Sequence, residues 1–111
     1  MTDKEILENN KLIANFYDTY LTVKYITTTV QQHISNYKDL RFHESWDWLM
    51  PVIIKIEKLG FSVDTKYCHC IIINGLNCDK YININTLKES KIKAVYEAII
   101  KFIKWYNEKN K

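Results

Sequence analysis

Cys68, His69 and Cys70 stand in a row and are the side chains of this sequence best suited to chemistry, since thiolate and imidazole are the usual ligands of zinc. Their spacing argues against a metal. In a strand the two cysteines share one face and the histidine takes the other, and no second ligand pair stands at the two-residue spacing of a structural zinc site. They read instead as small apolar side chains of a core, and no metal or other cofactor is expected. His43 and Asp47, with Glu44 between, have the types of a general base and its orienting carboxylate. No nucleophile accompanies them, and acidic residues at the start of a helix complement its dipole. No catalytic residue is assigned, and the chain is read as a non-enzyme. Its two glycines, Gly60 and Gly75, both fall at predicted turns, which leaves none for a phosphate-cradling loop.

The remaining candidates are residues that bind. Trp48 and Tyr106 fall on apolar helical stripes and belong to the core. Trp105 lies about 120° from the centre of its own helix's apolar face, beside Ala94, Ala98, Lys91 and Lys101. It is either exposed next to positive charge or covered by the N-terminal helix. From Thr86 to Lys111 there are seven lysines against three glutamates, a face that suits an acidic protein surface or an RNA backbone. Ile54 projects almost opposite the apolar stripe of its helix, where it would anchor a partner. The partner-binding candidates are therefore Lys91, Lys101, Lys104, Trp105, Ile54 and Trp46.

The elements that must position these residues follow from periodicity. Thr2 and Glu5 have capping-box spacing, and Ile6, Ile13, Phe16, Tyr17 and Tyr20 recur at helical intervals, which predicts a helix over about Asp3 to Tyr17. Leu21 to Val30 is β-branched with period two and is read as a strand, or as an extension of the helix; Gln31 to Phe42 is a polar connection. Ser45 caps a second helix with Trp48, Leu49, Val52, Ile53, Ile56 and Leu59 as its stripe, closed by Gly60. Pro51 either kinks this helix or stands in the first turn of one that begins near Met50. Phe61 to Thr65 and Tyr67 to Ile73 are strands. Asn74-Gly75 has the composition of a two-residue hairpin leading into a third strand that starts at Leu76 and runs toward Ile84. That register sets Cys78 opposite Ile71 and disfavours a Cys70–Cys78 disulfide. The triple Ile71, Ile72, Ile73 predicts a central strand covered on both faces. Ile92, Val95, Tyr96, Ile99, Phe102, Ile103 and Tyr106 lie within about 60° of one meridian, so Ser90 to Asn107 is an amphipathic helix. The fold class is α+β: a single domain over residues 1–111, with an antiparallel sheet of three to four strands and about three helices.

Composition agrees with one domain. The 111 residues are 47% hydrophobic and 26% charged, the balance of a chain that buries a core. The net charge is +3, and its cations are fifteen lysines and the single Arg41. That disfavours base-specific nucleic-acid reading, for which the guanidinium fork is preferred. No basic start with an apolar stretch opens the sequence, and no run reaches the about 20 residues that span a bilayer. Three cysteines fit reduced thiols, and the expected location is the cytoplasm.

The runs FHESWDWLMPVIIKIEKLG, NNKLIANF and KIKAVYEAIIKFIKWYNEK resemble a group of short proteins encoded by phages and prophages of Bacteroidetes-type bacteria. The resemblance covers most of the chain apart from Tyr20 to Leu40. Its marks are WDWLMP and FIKWYN, which are family signatures and not active-site motifs. Relatives carry a charged residue where this chain has Ile54, and a polar loop where it has Leu21 to Val30. The resemblance implies an accessory phage product that blocks a host defence, most specifically an anti-CRISPR-like inhibitor of an RNA-guided nuclease or its guide RNA. The alternative is a phage nucleic-acid-binding or regulatory protein that uses the lysine face.

Overall fold

Thr2 and Glu5 form the predicted capping box: the Glu5 amide donates to Thr2 Oγ1 at 3.1 Å and the Thr2 amide to Glu5 Oε1 at 3.4 Å. They open α1, Asp3–Leu21, in a computed structural model that describes residues 2–21, 40–75 and 81–109. The helix runs past the predicted end at Tyr17 and takes in Leu21, the first residue of the expected strand. The rest of that strand, to Val30, lies outside the described residues, as do most of the expected connection and Cys78.

The second helix, α2, spans Trp46–Lys58 with extended Ser45 at its N-cap, although the Ser45 hydroxyl makes no capping bond. Pro51 stands inside it. The helix therefore neither starts at Met50 nor has proline in its first turn; it continues through a position whose missing N–H leaves the Asp47 carbonyl without its helical donor. Asp47 is exposed, so water can reach that group. Leu49, Val52, Ile53 and Ile56 are buried as the stripe predicts. The helix stops as expected, with Gly60 at φ 102° after the C-cap Leu59.

The strands are β1, Phe61–Lys66, β2, His69–Asn74, and β3, Asn83–Leu87, antiparallel in the order β1-β2-β3. The predicted hairpin is displaced. Lys66 pairs with His69, so the two-residue turn is Tyr67-Cys68, with Tyr67 at φ 55°. Asn74-Gly75 makes no hairpin: Asn74 still pairs with Phe61, and the Gly75 amide donates to the Gly60 carbonyl at 2.7 Å. A Cβ at position 75 would collide with that carbonyl oxygen, so glycine is needed there for close approach and not for turn geometry. Among the described residues the third strand is Asn83–Leu87, Leu76 where it is expected to start lies outside them, and Ile71 pairs with Asn85.

β2 is central, as its isoleucines predict, but among the described residues it is covered on one face. Cys70 and Ile72 are fully buried, whereas Ile73 is exposed, and Leu87 on β3 is more so. The third helix, α3, Lys91–Lys109, closes the core over β2 and β3 and packs α1 on its other flank. Thr86 Oγ1 donates to the Ala94 carbonyl at 2.6 Å, which ties the helix backbone to β3. This sandwiching buries Ala94, Ala98 and Ile100 in addition to the predicted stripe, so the exposed arc of α3 is narrow. The molecule is a single α+β domain, and no helix among the described residues is long and apolar enough to cross a membrane.

Candidate functional site

The outer face of α2 carries three large apolar side chains in a row. Trp46, Met50 and Ile54 are 38%, 46% and 46% exposed. Four-residue spacing advances each by about 40° around the axis, so they form one continuous ridge. The core-facing residues of the same helix hold it against α1, β1 and α3. Two of the predicted binding residues, Trp46 and Ile54, are thus brought together. Met50 completes the ridge and was not singled out from sequence, although its spacing from both was the available signal.

The lysine candidates lie elsewhere. Lys101 and Lys104 are exposed neighbours on the outer arc of α3, while Lys91 sits at its first residue, about 15 Å along the axis from Lys101. Trp105 is half-buried. Its ring meets Phe61 edge-on at 5.7 Å and lies 6.0 Å from Phe102, so β1 and its own helix cover it. It belongs to a cluster with Phe16 and Tyr106 more than to the lysine face.

His43 and Asp47 do not act together. His43 Nδ1 lies 3.0 Å from Asn10 Nδ2, and Asn10 also donates to the Leu40 carbonyl at 3.2 Å. Tyr96 in turn donates its hydroxyl to Asn10 Oδ1 at 2.9 Å. This chain uses the amide of a nearly fully buried asparagine on both sides and makes Nδ1 of His43 the acceptor, which assigns its ring proton to Nε2. Burial pushes the Tyr96 phenol well above its ordinary value. The network joins α1, the loop before α2 and α3, and its members serve structure. Beside it a groove of about 490 Å³ holds Glu5, Lys88, Glu89, Lys93 and Glu97, but Lys88 pairs with Glu97 at 2.9 Å and Lys93 with Glu89 at 2.5 Å, and Glu5 is engaged in the capping box with Thr2.

Asp47 instead lines a smaller cleft of about 220 Å³ between α1 and α2, together with Tyr17, Phe42, Trp48 and Pro51. At 100° per residue Asp47 and Pro51 fall between this cleft and the ridge, so the two features adjoin on α2.

Cys68 is in the turn and not in the strand, Cys70 is buried, and His69 Nε2 meets Asn85 Oδ1 on the open face of the sheet. Burial first, and then the charge of Asp64, raise the Cys70 thiol to about 11, which makes it an unreactive core group. Among the described residues no group of three His, Cys, Asp or Glu side chains can hold a metal ion. No family model, curated protein or solved structure matches this chain.

Proposed function

We propose that this protein acts by binding a host protein, as a phage-derived inhibitor of a defence system, and most specifically of an RNA-guided nuclease. The observation that supports a binding role is the ridge of Trp46, Met50 and Ile54, because large apolar side chains exposed in register on a well-anchored helix match a helix-in-groove contact. The phage resemblance of WDWLMP, which contains two of the ridge residues, supports the choice of target. A second reading, contact with an RNA backbone, is favoured by the exposed pair Lys101 and Lys104.

One experiment separates them. Tagged protein is mixed with a purified CRISPR effector, with and without guide RNA, and complex formation and cleavage are followed as salt rises. Protein binding through the ridge gives a stoichiometric, salt-tolerant complex that Met50→Glu or Ile54→Lys abolishes and that Lys101→Ala/Lys104→Ala leaves intact. The reverse pattern, with affinity falling steeply in salt, assigns the function to the lysines. Absence of both complex and inhibition overturns the nuclease as target.

A further inference from the structure

The cleft between α1 and α2 has walls whose chemistry selects a class of guest. Three aromatic rings line it: Tyr17 from α1, Phe42 from the loop before α2, and Trp48 from α2. Phe42 and Trp48 meet edge to face, with an interplanar angle of 87° and centroids 5.1 Å apart, and Phe42 is itself buried, so it backs the partly exposed rings of Trp48 and Tyr17. Pro51 adds an apolar side, and the carboxylate among the described lining residues is that of Asp47, which is exposed. Aromatic faces carry a negative quadrupole that attracts cations and repels anions. A carboxylate beside them adds Coulombic attraction of the same sign. An anion is therefore disfavoured twice, and a neutral apolar guest gains from the rings but nothing from Asp47. The volume, about 220 Å³, suits a compact group on an apolar stem and is below the range of drug-sized pockets.

We infer that this cleft is a binding site for an organic cation, an alkylated ammonium or a guanidinium group, held by the rings of Tyr17 and Trp48, with Phe42 behind them, and the carboxylate of Asp47. The site stands independently of whether the neighbouring ridge has a partner. The cation has two sources with the same chemistry, a free small molecule or the modified lysine or arginine side chain of a protein.

The test uses the full chain and the indole N–H resonance of Trp48, followed by two-dimensional NMR during titration. The probes are choline, a capped peptide of Nε-trimethyl-lysine, a capped arginine peptide, and 3,3-dimethylbutan-1-ol, the uncharged shape analogue of choline. The expected result is a saturable shift with at least one cation, binding about five- to tenfold weaker for the neutral alcohol, and a similar loss in Asp47→Asn. Asp47 is exposed, so that variant keeps the fold, and its unchanged spectrum elsewhere verifies this. Tighter binding of a peptide than of choline assigns the cation to a protein side chain; the opposite order assigns it to a small molecule. Equal affinity for choline and the alcohol, full affinity in Asp47→Asn, or a Trp48 resonance that no cation moves overturns the proposal. Failure of nuclease binding in the earlier experiment leaves this result untouched, and the converse also holds.

Discussion

Lys55 is the residue whose position conflicts most with its type. It is 7% exposed on the core side of α2, its ammonium stands 4.1 Å from the centre of the Phe16 ring, and it donates to the Phe16 carbonyl. Burial lowers its pKa from 10.5 to about 8. The unfolded amine thus keeps its proton to higher pH than the folded one, so folding stability rises as pH climbs above about 8, by at most about 1.4 kcal/mol per unit. The Cys70 thiol and the Tyr96 phenol, both raised by burial, act in the opposite sense, and the thiol does so from its unfolded value of 9.0 upward. Urea denaturation should therefore show stability increasing between pH 8 and 9, levelling as the thiol offsets the amine, and falling above about pH 10, where the phenol adds to the thiol. Lys55→Met should remove the rise; a rise that survives it refutes the assignment. Gly75 offers a second test at this scale. Gly75→Ala drives a methyl into the Gly60 carbonyl and should cost about 1–3 kcal/mol, read from the same denaturation curves.

Among the elements, α2 carries both the ridge and one wall of the cleft, and Pro51 interrupts its hydrogen-bond ladder between them. Pro51→Ala restores a donor to the Asp47 carbonyl and should stabilise the protein by about 1–2 kcal/mol, visible as a higher Tm. Loss of stability on that change would show that the proline ring packs more than it strains. The elements were largely legible in the sequence, since the capping residues and apolar periods of three helices mark α1, α2 and α3 within a few residues. What misled was Asn74-Gly75, whose composition answers two demands alike. A hairpin needs a residue free to take positive φ, and a crowded junction needs a residue without a Cβ; sequence does not say which demand is present. Tyr67, with no such composition, took the turn because the pairing of Lys66 with His69 fixes it. The wide burial of α3 was equally hidden, because Ala94 and Ala98 are compatible with either a solvent face or a close helix–sheet contact, and only the tie from Thr86 decides. Of the candidate site, Trp46 and Ile54 were legible as misplaced apolar residues, but the cleft unites residues of α1, a loop and α2 that no local pattern connects.

At the scale of the whole molecule, the Tyr96–Asn10–His43 chain links segments far apart in sequence, with Asn10 and Tyr96 separated by 86 residues. Asn10→Ala takes away the partner that the Leu40 carbonyl and His43 Nδ1 find in its amide and leaves the Tyr96 hydroxyl with the longer 3.4 Å contact to the Ile6 carbonyl; it should cost about 2–4 kcal/mol, whereas Tyr96→Phe should cost about 1 kcal/mol. The double variant should lose less than the sum, since the first change already removes the partner of the second. Strict additivity in calorimetry would mean that the contacts act separately.

The place of α3 in this architecture also bears on how the chain comes off the ribosome. Residues 91–109 are synthesised after α1, α2 and the sheet, yet they cover the sheet and flank α1. At about 5–20 residues per second the sheet and α2 wait about one to four seconds for those nineteen residues, with Ile72, Val52 and Phe61 uncovered meanwhile. A nascent chain that stalls before Lys91 holds a sheet without its lid, and is a substrate for chaperones and proteases instead of a partly folded domain.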